Sequence, residues 1–336
     1  MSQTTPLTFT NMAELADYLG VTKVSVSLAL RNSPAISEKL RERVQSVARE
    51  ANFMPRNYRR KAKTESESGE KIAVLYTPKR KSDPVAQEIQ SCVVRRLTEL
   101  KLPFELVENT ASNLQTRIQD GFTGVIFDFS TRPEVLSLVS HLPCVAVMHE
   151  ELEGGRWDNY RPHEFIAGKL AADYLLKQGF RRTLIVWERW WTYLPEEHQR
   201  LQGFRTQARK ENAEVMELGY DHCEPARKLS KSLLEILKQS EEPLGIFAFC
   251  DQIAYQLCTI LDIAGYKRKA GKLEVISCDN TALIRSLSPS LPVVDLHISD
   301  IAMRAVDGLA WKLKNPKSLP QDVMLWPGLV TPEIVN

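Results

Sequence analysis

The sequence predicts an α/β protein in two parts: an all-α head holding a helix-turn-helix and, behind a basic linker, a body built on parallel sheets. Three observations predict it. The chain opens with a short helical pattern, a glycine and a second short helical pattern (11–19, Gly20, 21–32). Basic residues crowd the stretch from Met1 to Lys63, although the whole chain has a formal net charge of only +2. From Lys71 onward, short apolar runs alternate with amphipathic helical stretches, the pattern of βαβ units.

The second helical pattern, VTKVSVSLALRN, reads as a recognition helix. Val26, Ala29 and Leu30 fall at i, i+3 and i+4 and form a narrow inward stripe. Lys23, Val24, Ser27, Leu28 and Arg31 share the opposite, outward arc. Thr22 can cap the helix, leaving its first backbone amides pointing at whatever it approaches. Upstream, Asn11 with Glu14 three residues on is a capping box, Ala13, Leu15, Ala16 and Leu19 supply the apolar face, and Gly20 supplies the left-handed turn. Ser37 caps a third helix in which Leu40, Val44, Val47, Ala48 and Ala51 recur on one face. The same stretch is also compatible with any tight helical hairpin.

Between Met1 and Lys63 the bases Lys23, Arg31, Lys39, Arg41, Arg43, Arg49, Arg56, Arg59, Arg60, Lys61 and Lys63 outnumber Glu14, Asp17, Glu38, Glu42 and Glu50. A basic head on a near-neutral body points to a nucleic-acid module. The run from Met54 to Lys63 has five bases and no acid, and reads as a linker lying on phosphates or in a groove; TESESGE (64–70) is the flexible boundary.

The chain is long enough, at 336 residues, for two or three domains, and its hydrophobic share of 43% and charged share of 26% are those of a globular protein with a substantial core. Six cysteines show no metal spacing and read as free thiols of a reducing compartment. MSQTTPLTFT has no signal-peptide pattern and no apolar run reaches membrane-span length, so a cytoplasmic location is expected.

In the body, strands are expected at 72–76, 104–108, 124–129, 144–149, 183–187, 214–218, 245–250, 274–278, 293–296 and 323–326. Helices are expected near 84–100, 133–140, 164–178, 197–212, 225–239, 252–264 and 299–314. So many strands suit two sheets, with ligands beyond the strands' C-terminal ends or between domains.

These residues resemble the lactose/galactose repressor family of bacterial transcription regulators. The head MAELADYLGVTKVSVSLALRNSPAISEKLRERVQSVAREANFMPRN is similar to that family's head. Trp157-Asp158-Asn159 followed by AGKLAADYLLKQGFRRTLIV resembles its crossover into a second subdomain. Arg200-Leu201-Gln202-Gly203-Phe204 resembles its R-x-x-G-F helix, Cys250-Asp251-Gln252-Ile253-Ala254 its N-D-x-x-A segment, and Cys278-Asp279-Asn280 its G-x-D-D/N. The matches keep the family's order along nearly the whole chain.

The resemblance implies a two-lobed, periplasmic-binding-protein-like body with a small-molecule effector, a sugar or related metabolite, in the cleft. It also implies a homodimer or dimer of dimers on a palindromic double-stranded operator, with no cofactor, no metal and no membrane partner. The expected domains are a helix-turn-helix head at 1–55, a basic hinge at 56–70 and a body at 71–336. Lobe 1 is expected to take 71–158 and 292–318, and lobe 2 159–291 and 319–336.

Under the resemblance, Lys23, Val24 and Leu28 occupy base-reading positions. Val24 and Leu28 suit thymine methyls, Lys23 guanine or phosphate, and Ser25, Ser27 and Arg31 phosphate positioning. In the hinge, Arg56, Asn57, Arg59 and Arg60 are DNA-facing; Ala62 stands where the family inserts a leucine into the minor groove. Arg200 matches the arginine that clamps effector hydroxyls and Asp279 its acidic partner; a plain ion pair is the alternative for both. Cys250, beside Asp251, replaces a common asparagine. Trp190, with Trp191 and Tyr193, forms an aromatic wall for a sugar face or fills core; Trp187 reads as core, and Tyr220 is a further effector candidate. Nucleotide, metalloprotease and serine-hydrolase motifs are absent, so an enzyme is not expected. The alternative function is a small-molecule receptor or protein-interaction module whose head no longer binds DNA.

Overall fold

The computed structural model describes residues 9, 12–30, 36–51, 71–78, 83–117, 121–149, 157–189, 198–221, 226–239, 241–268 and 271–332. The chain divides into two compact units, Met1–Gly69 and Glu70–Asn336. The basic run and the boundary TESESGE, with Arg56, Asn57, Arg59, Arg60 and Ala62, lie outside the described residues, as do Arg31, Trp190, Trp191 and Tyr193.

The first unit contains α1 (Met12–Leu19), α2 (Lys23–Leu30) and α3 (Glu38–Glu50). Leu15, Ala16, Leu19, Val26, Ala29, Val44, Ala48 and Ala51 form one apolar core, as the helical spacing required. Gly20 takes φ +65° and its N–H bonds Asp17 O, so the α1–α2 turn is left-handed. Gln45 of α3 donates to the Ala29 carbonyl at 3.0 Å and ties off the end of α2.

The second unit has two six-stranded sheets of matching plan. Lobe 1 contains β1 (Lys71–Tyr76), α4 (Pro84–Glu99), β2 (Phe104–Glu108), α5 (Ala111–Arg117), β3 (Phe122–Asp128), α6 (Pro133–Val139), β4 (Cys144–Val147) and β5 (Asp158–Pro162). Lobe 2 contains α7 (Glu164–Lys177), β6 (Arg182–Arg189), α8 (Gln199–Lys210), β7 (Glu214–Asp221), α9 (Ala226–Lys238), β8 (Leu244–Ala248), α10 (Asp251–Ile263), β9 (Leu273–Asp279), α11 (Ala282–Arg285) and β10 (Val293–Asp295). The chain then returns through α12 (Ile298–Lys314) and β11 (Asp322–Leu325) in lobe 1 and ends on β12 (Gly328–Val330) in lobe 2. Strand order is β2-β1-β3-β4-β5-β11 in one sheet and β7-β6-β8-β9-β10-β12 in the other. All pairings are parallel except β10 with β12. Helices cover the sheets, so the central strands β4 and β8 are buried along their whole length.

Three details differ from the sequence expectation. The lobe boundary was expected near 159, 292 and 319; the crossings fall at His163, at Leu296–His297 and at Trp326–Pro327. Asp158–Pro162 is a strand of lobe 1 because it pairs with both β4 and β11, although its sequence, DNYRP, has no apolar run to announce it. Buried Lys312 bonds Asp158 at 2.8 Å, which accounts for a carboxylate inside this sheet edge. The short polar helix α5 and the three-residue strand β12 also gave no periodic signal. Two crossings touch: His163 N–H donates to Leu325 O, and the His163 ring lies 5.2 Å from that of Trp326.

Candidate functional site

In the head, Thr22 Oγ1 accepts the Ser25 N–H at 3.1 Å and bonds the Ser25 hydroxyl at 2.9 Å, so the expected cap forms. Val26 and Ala29 are wholly buried, which turns Lys23 and Val24 outward. Val24 is 67% exposed, so no other helix of the head covers it. Ser25, Ser27 and Leu28 are half-buried. Capped amides, a lysine and an apolar residue are thus offered together at the start of α2.

In lobe 2 the site begins at the ends of β8 and β9 and the N-termini of α7, α8 and α10. His198 caps α8 by accepting the Arg200 N–H on Nδ1 at 3.0 Å, which directs the Arg200 side chain inward. Arg200 is 4% exposed. Its Nε and Nη2 donate to the two oxygens of Glu164 at 2.7 and 3.0 Å, a bidentate pair. Its Nη1 donates to Phe249 O at 2.5 Å and to Asp279 Oδ1 at 3.3 Å. The guanidinium stacks 4.6 Å from the Phe249 ring. Asp279 Oδ2 accepts the Asp251 N–H at 3.3 Å. Asp251 in turn accepts from Ser277 Oγ at 2.5 Å and from the Thr281 N–H and hydroxyl at 2.6 and 2.8 Å. Asp279 and Asn280 take φ of 119° and 64°, a strained turn held by these bonds.

The expected pair Arg200–Asp279 therefore comes together, but within lobe 2 and with Glu164 added. Instead of standing open in a cleft, Arg200 has four of its five N–H donors committed inside the protein. Glu164 was missed in the sequence because its partner lies 36 residues away. The only local signal is an acid at the first position of a helix. Cys250 is half-buried at the cap of α10, next to Asp251. Tyr220 is half-buried and donates to Gln256 at 3.0 Å. Trp187 is core: its ring would meet a Cβ at Gly219, and its Nε1 donates to Glu217 at 3.3 Å.

The electrostatics follow from burial. Burial opposes the Arg200 charge, but Glu164 and Asp279 outweigh it and hold the guanidinium well above the usual arginine range. Burial also acts against Glu164, yet Arg200 and then His198 keep its carboxyl below the usual range. Asp279 is pushed well above the usual range by burial, against Arg200 and with Asp251 adding to the rise. Burial lifts the Cys250 thiol, reinforced by Asp279, and the Tyr220 phenol, reinforced by Glu188.

Asp251 is pushed up to about 6 by burial, against the bonds from Ser277 and Thr281. A carboxyl raised on folding stabilises the fold below its unfolded pKa and loses that contribution as pH rises through its folded value. The loss falls between about pH 4 and pH 6 and amounts to about 3 kcal/mol. Wild type is expected to lose stability over that window relative to Asp251→Asn, read from denaturant midpoints at each pH. A constant difference between the two curves would contradict this.

In lobe 1 the strand order reverses between β1 and β3, the place where open α/β sheets bind ligands. A cavity of about 260 Å³ opens there, lined by Tyr76 and Thr77 after β1, Gln87 and Gln90 of α4, and Phe127 and Asp128 of β3. Thr77 and Ser130 hydroxyls bond at 2.7 Å, and Asp128 Oδ1 accepts the Ser130 N–H at 2.9 Å. Asn109 Nδ2 donates to Thr131 Oγ1 at 2.9 Å and to Thr77 Oγ1 at 3.3 Å, while its buried Oδ1 has no partner among the described residues. None of these was singled out in the sequence; a polar residue ending an apolar run, as Asp128 does in GVIFD, was the available signal. Glu88 of α4 and Arg285 of α11 form an ion pair at 3.4 Å between the lobes.

Comparisons with known proteins agree with this architecture. The sequence pattern of bacterial regulatory proteins of the lacI family matches residues 11–56, and that of a periplasmic-binding-protein-like domain matches residues 172–332. The chain is 23% identical to a ribose operon repressor of Haemophilus influenzae, covering 96% of this chain and 98% of that protein. It is 25% identical to a ribose operon repressor of Halalkalibacterium halodurans over 87% of each. A periplasmic binding protein/LacI transcriptional regulator of Alkaliphilus metalliredigens, complexed with D-xylulofuranose, superposes with a TM-score of 0.65 at 19% identity, over 79% of this chain and 98% of that one. A LacI family regulator of Enterococcus faecium with bound ribose gives 0.65 at 18%, over 78% and 97%. The lac repressor dimer bound to operator and the anti-inducer ONPF gives 0.65 at 16%, over 98% and 99%. The chain therefore pairs a head that matches the lacI-type regulatory pattern with a body that matches the periplasmic-binding-protein-like pattern, and in both parts it is similar to bacterial regulatory proteins of the lacI family.

Proposed function

We propose that this DNA-binding regulator is a sugar-responsive repressor that holds a palindromic operator as a dimer. The observation that carries the DNA half is the capped, uncovered start of α2, with Lys23 and Val24 outward. Base reading falls to Lys23, Val24 and Leu28, and phosphate positioning to Ser25, Ser27 and Arg31. Affinity comes largely from Arg56, Asn57, Arg59 and Arg60 of the hinge, which makes binding strongly salt-dependent. The proteins it resembles are regulators and not enzymes, and a regulator is the role proposed for this chain. Among the described residues no helix is long and apolar enough to cross a membrane, and a cytoplasmic location suits the role.

The effector in this reading is a sugar, with a pentose the first choice because both curated relatives carry ribose in their names. It sits against the cavity of lobe 1, where Thr77 and Asp128 suit hydroxyl groups. The lobe 2 side of this reading is Asp279, Asp251, Cys250 and Tyr220, with Arg200 bonded to Asp279; Trp190, an effector candidate from the sequence, lies outside the described residues. Effector binding changes the relation of the lobes and, through the dimer, the affinity for operator.

Gel-shift selection from genomic fragments at two salt concentrations tests the DNA half. Selection of specific fragments that weakens steeply with salt supports it; no selection favours the drifted-head alternative. Leu28→Ala is expected to relax discrimination at one base pair of each half-site by about 1 kcal/mol. Equal loss on all sequences would instead make Leu28 a packing residue. Melting shifts across a panel of neutral sugars test the effector half.

A further inference from the structure

We infer that Glu164 sets the charge class of the effector: by filling the fork of Arg200 it leaves lobe 2 suited to an uncharged, hydroxyl-bearing ligand and closes it to sugar acids and sugar phosphates. The inference rests on the sugar reading above and adds a specificity-determining residue to it.

An arginine fork binds carboxylates and phosphates through two parallel N–H donors. In this chain those two donors are already taken, at 2.7 and 3.0 Å, by Glu164. Glu164 thus occupies the position that an anionic ligand group would need. It is 6% exposed and Arg200 4%, so the pair is shielded from solvent.

The backbone around the pair leaves it little room to open. One turn beyond Glu164, a Cβ on Gly168 would stand 1.7 Å from the Arg200 carbonyl oxygen. A Cβ on Gly203, one turn beyond Arg200, would stand 2.0 Å from the Phe165 carbonyl oxygen. The helices α7 and α8 therefore meet backbone to backbone beside the ion pair, and the pair belongs to the frame of lobe 2. A neutral hydroxyl offers too little to displace a carboxylate from a buried guanidinium.

Charge points the same way. Glu164 and Asp279 hold one guanidinium, the Asp251 carboxyl lies next beyond Asp279, and Asp128 closes the strand end in lobe 1. Carboxylates accept hydrogen bonds from hydroxyl groups and repel anions. A ligand meets acceptors on both lobes, while the cation that anions require is spent on Glu164.

The test uses the full chain in calorimetric titrations with D-ribose, D-ribonate and D-ribose 5-phosphate. Wild type is expected to bind ribose at least tenfold more tightly than either anion. Glu164→Gln removes one negative charge beside Arg200 and is expected to raise the anions' affinity about tenfold while changing that of ribose less than threefold. A purely structural Glu164 would lower all three together and leave their ratio unchanged. That unchanged ratio in a variant with wild-type circular dichroism, or wild type preferring an anion, overturns the inference. If Glu164→Gln does not fold, the wild-type ratio still decides it, and Glu164→Asp, which keeps the charge, is expected to keep the preference for ribose. Binding of anions alone overturns this inference and leaves a sugar-derived effector in place. Binding of none of the three, nor of any neutral sugar in a wider panel, removes the sugar reading and this inference with it.

Discussion

Replacing Arg200 with methionine is expected to cost the body about 3–5 kcal/mol, the range for removing one partner of a buried ion pair. The substitution leaves Glu164 and Asp279, 6% and 3% exposed, without their common cation. It also strands the Phe249 carbonyl, which accepts from the same guanidinium. For a body of this size the loss corresponds to a fall in melting temperature of roughly 10 °C, read by calorimetry on the full chain. The direction with pH is specific. Arg200 does most to hold the Glu164 carboxyl low in wild type; without it, burial pushes that carboxyl up against only the remaining pull of His198 and Arg161. The penalty is therefore expected to be full near neutral pH and to shrink as pH falls and Glu164 takes up a proton. Adding Glu164→Leu to Arg200→Met is expected to recover part of the loss at pH 7, because the stranded charge goes with it. A double variant no more stable than the single one would mean that Arg200 acts by packing against Phe249 rather than by neutralising Glu164.

Gly168→Ala is expected to have a comparable effect for a steric reason. Its new Cβ would lie 1.7 Å from the Arg200 carbonyl oxygen, 2.7 Å from the carbonyl carbon and 2.9 Å from the Phe204 nitrogen. All three neighbours are backbone, so no side-chain rotation relieves the clash. The helices α7 and α8 have to separate, at a cost of about 3 kcal/mol or more, the upper part of the overpacking range. Two alanine controls separate this from an ordinary loss of glycine. Gly124 would meet only side-chain atoms of Leu309 and Leu313, at 3.2 Å and beyond, and a shift of a few tenths of an ångström absorbs that. Gly20 has open space but φ +65°, so its substitution is expected to cost about 1 kcal/mol in the head. Melts in which Gly168→Ala and Gly124→Ala fall together would show that the seam between α7 and α8 yields easily.

Much of this molecule is written in local pattern. The helical spacing of Val26 and Ala29, the cap at Thr22 and the turn at Gly20 depend only on near neighbours, and α2 forms within the stretch where they place it. The central strands of the two sheets are apolar runs because both faces are covered, so Cys144–Val147 and Leu244–Ala248 declare themselves without a partner in view. The family resemblance also brought Arg200, Asp251 and Asp279 into one site from three separate segments.

What the sequence determined by itself was therefore the division into head and body, the second helix of the head with its buried and outward sides, the parallel sheets, and which polar residues to suspect. Tertiary structure alone decided how those residues are used. It assigned β5 to lobe 1 through its pairing with β4 and β11. It joined Thr77 to Ser130 across 53 residues to make the polar wall of lobe 1. It gave the fork of Arg200 to Glu164, turning an expected ligand clamp into an internal strut. The physical reason is that periodicity records which side of an element is buried, whereas a buried charge is governed by which opposite charge the fold brings within about 3 Å of it, and that partner is set by the packing of distant segments.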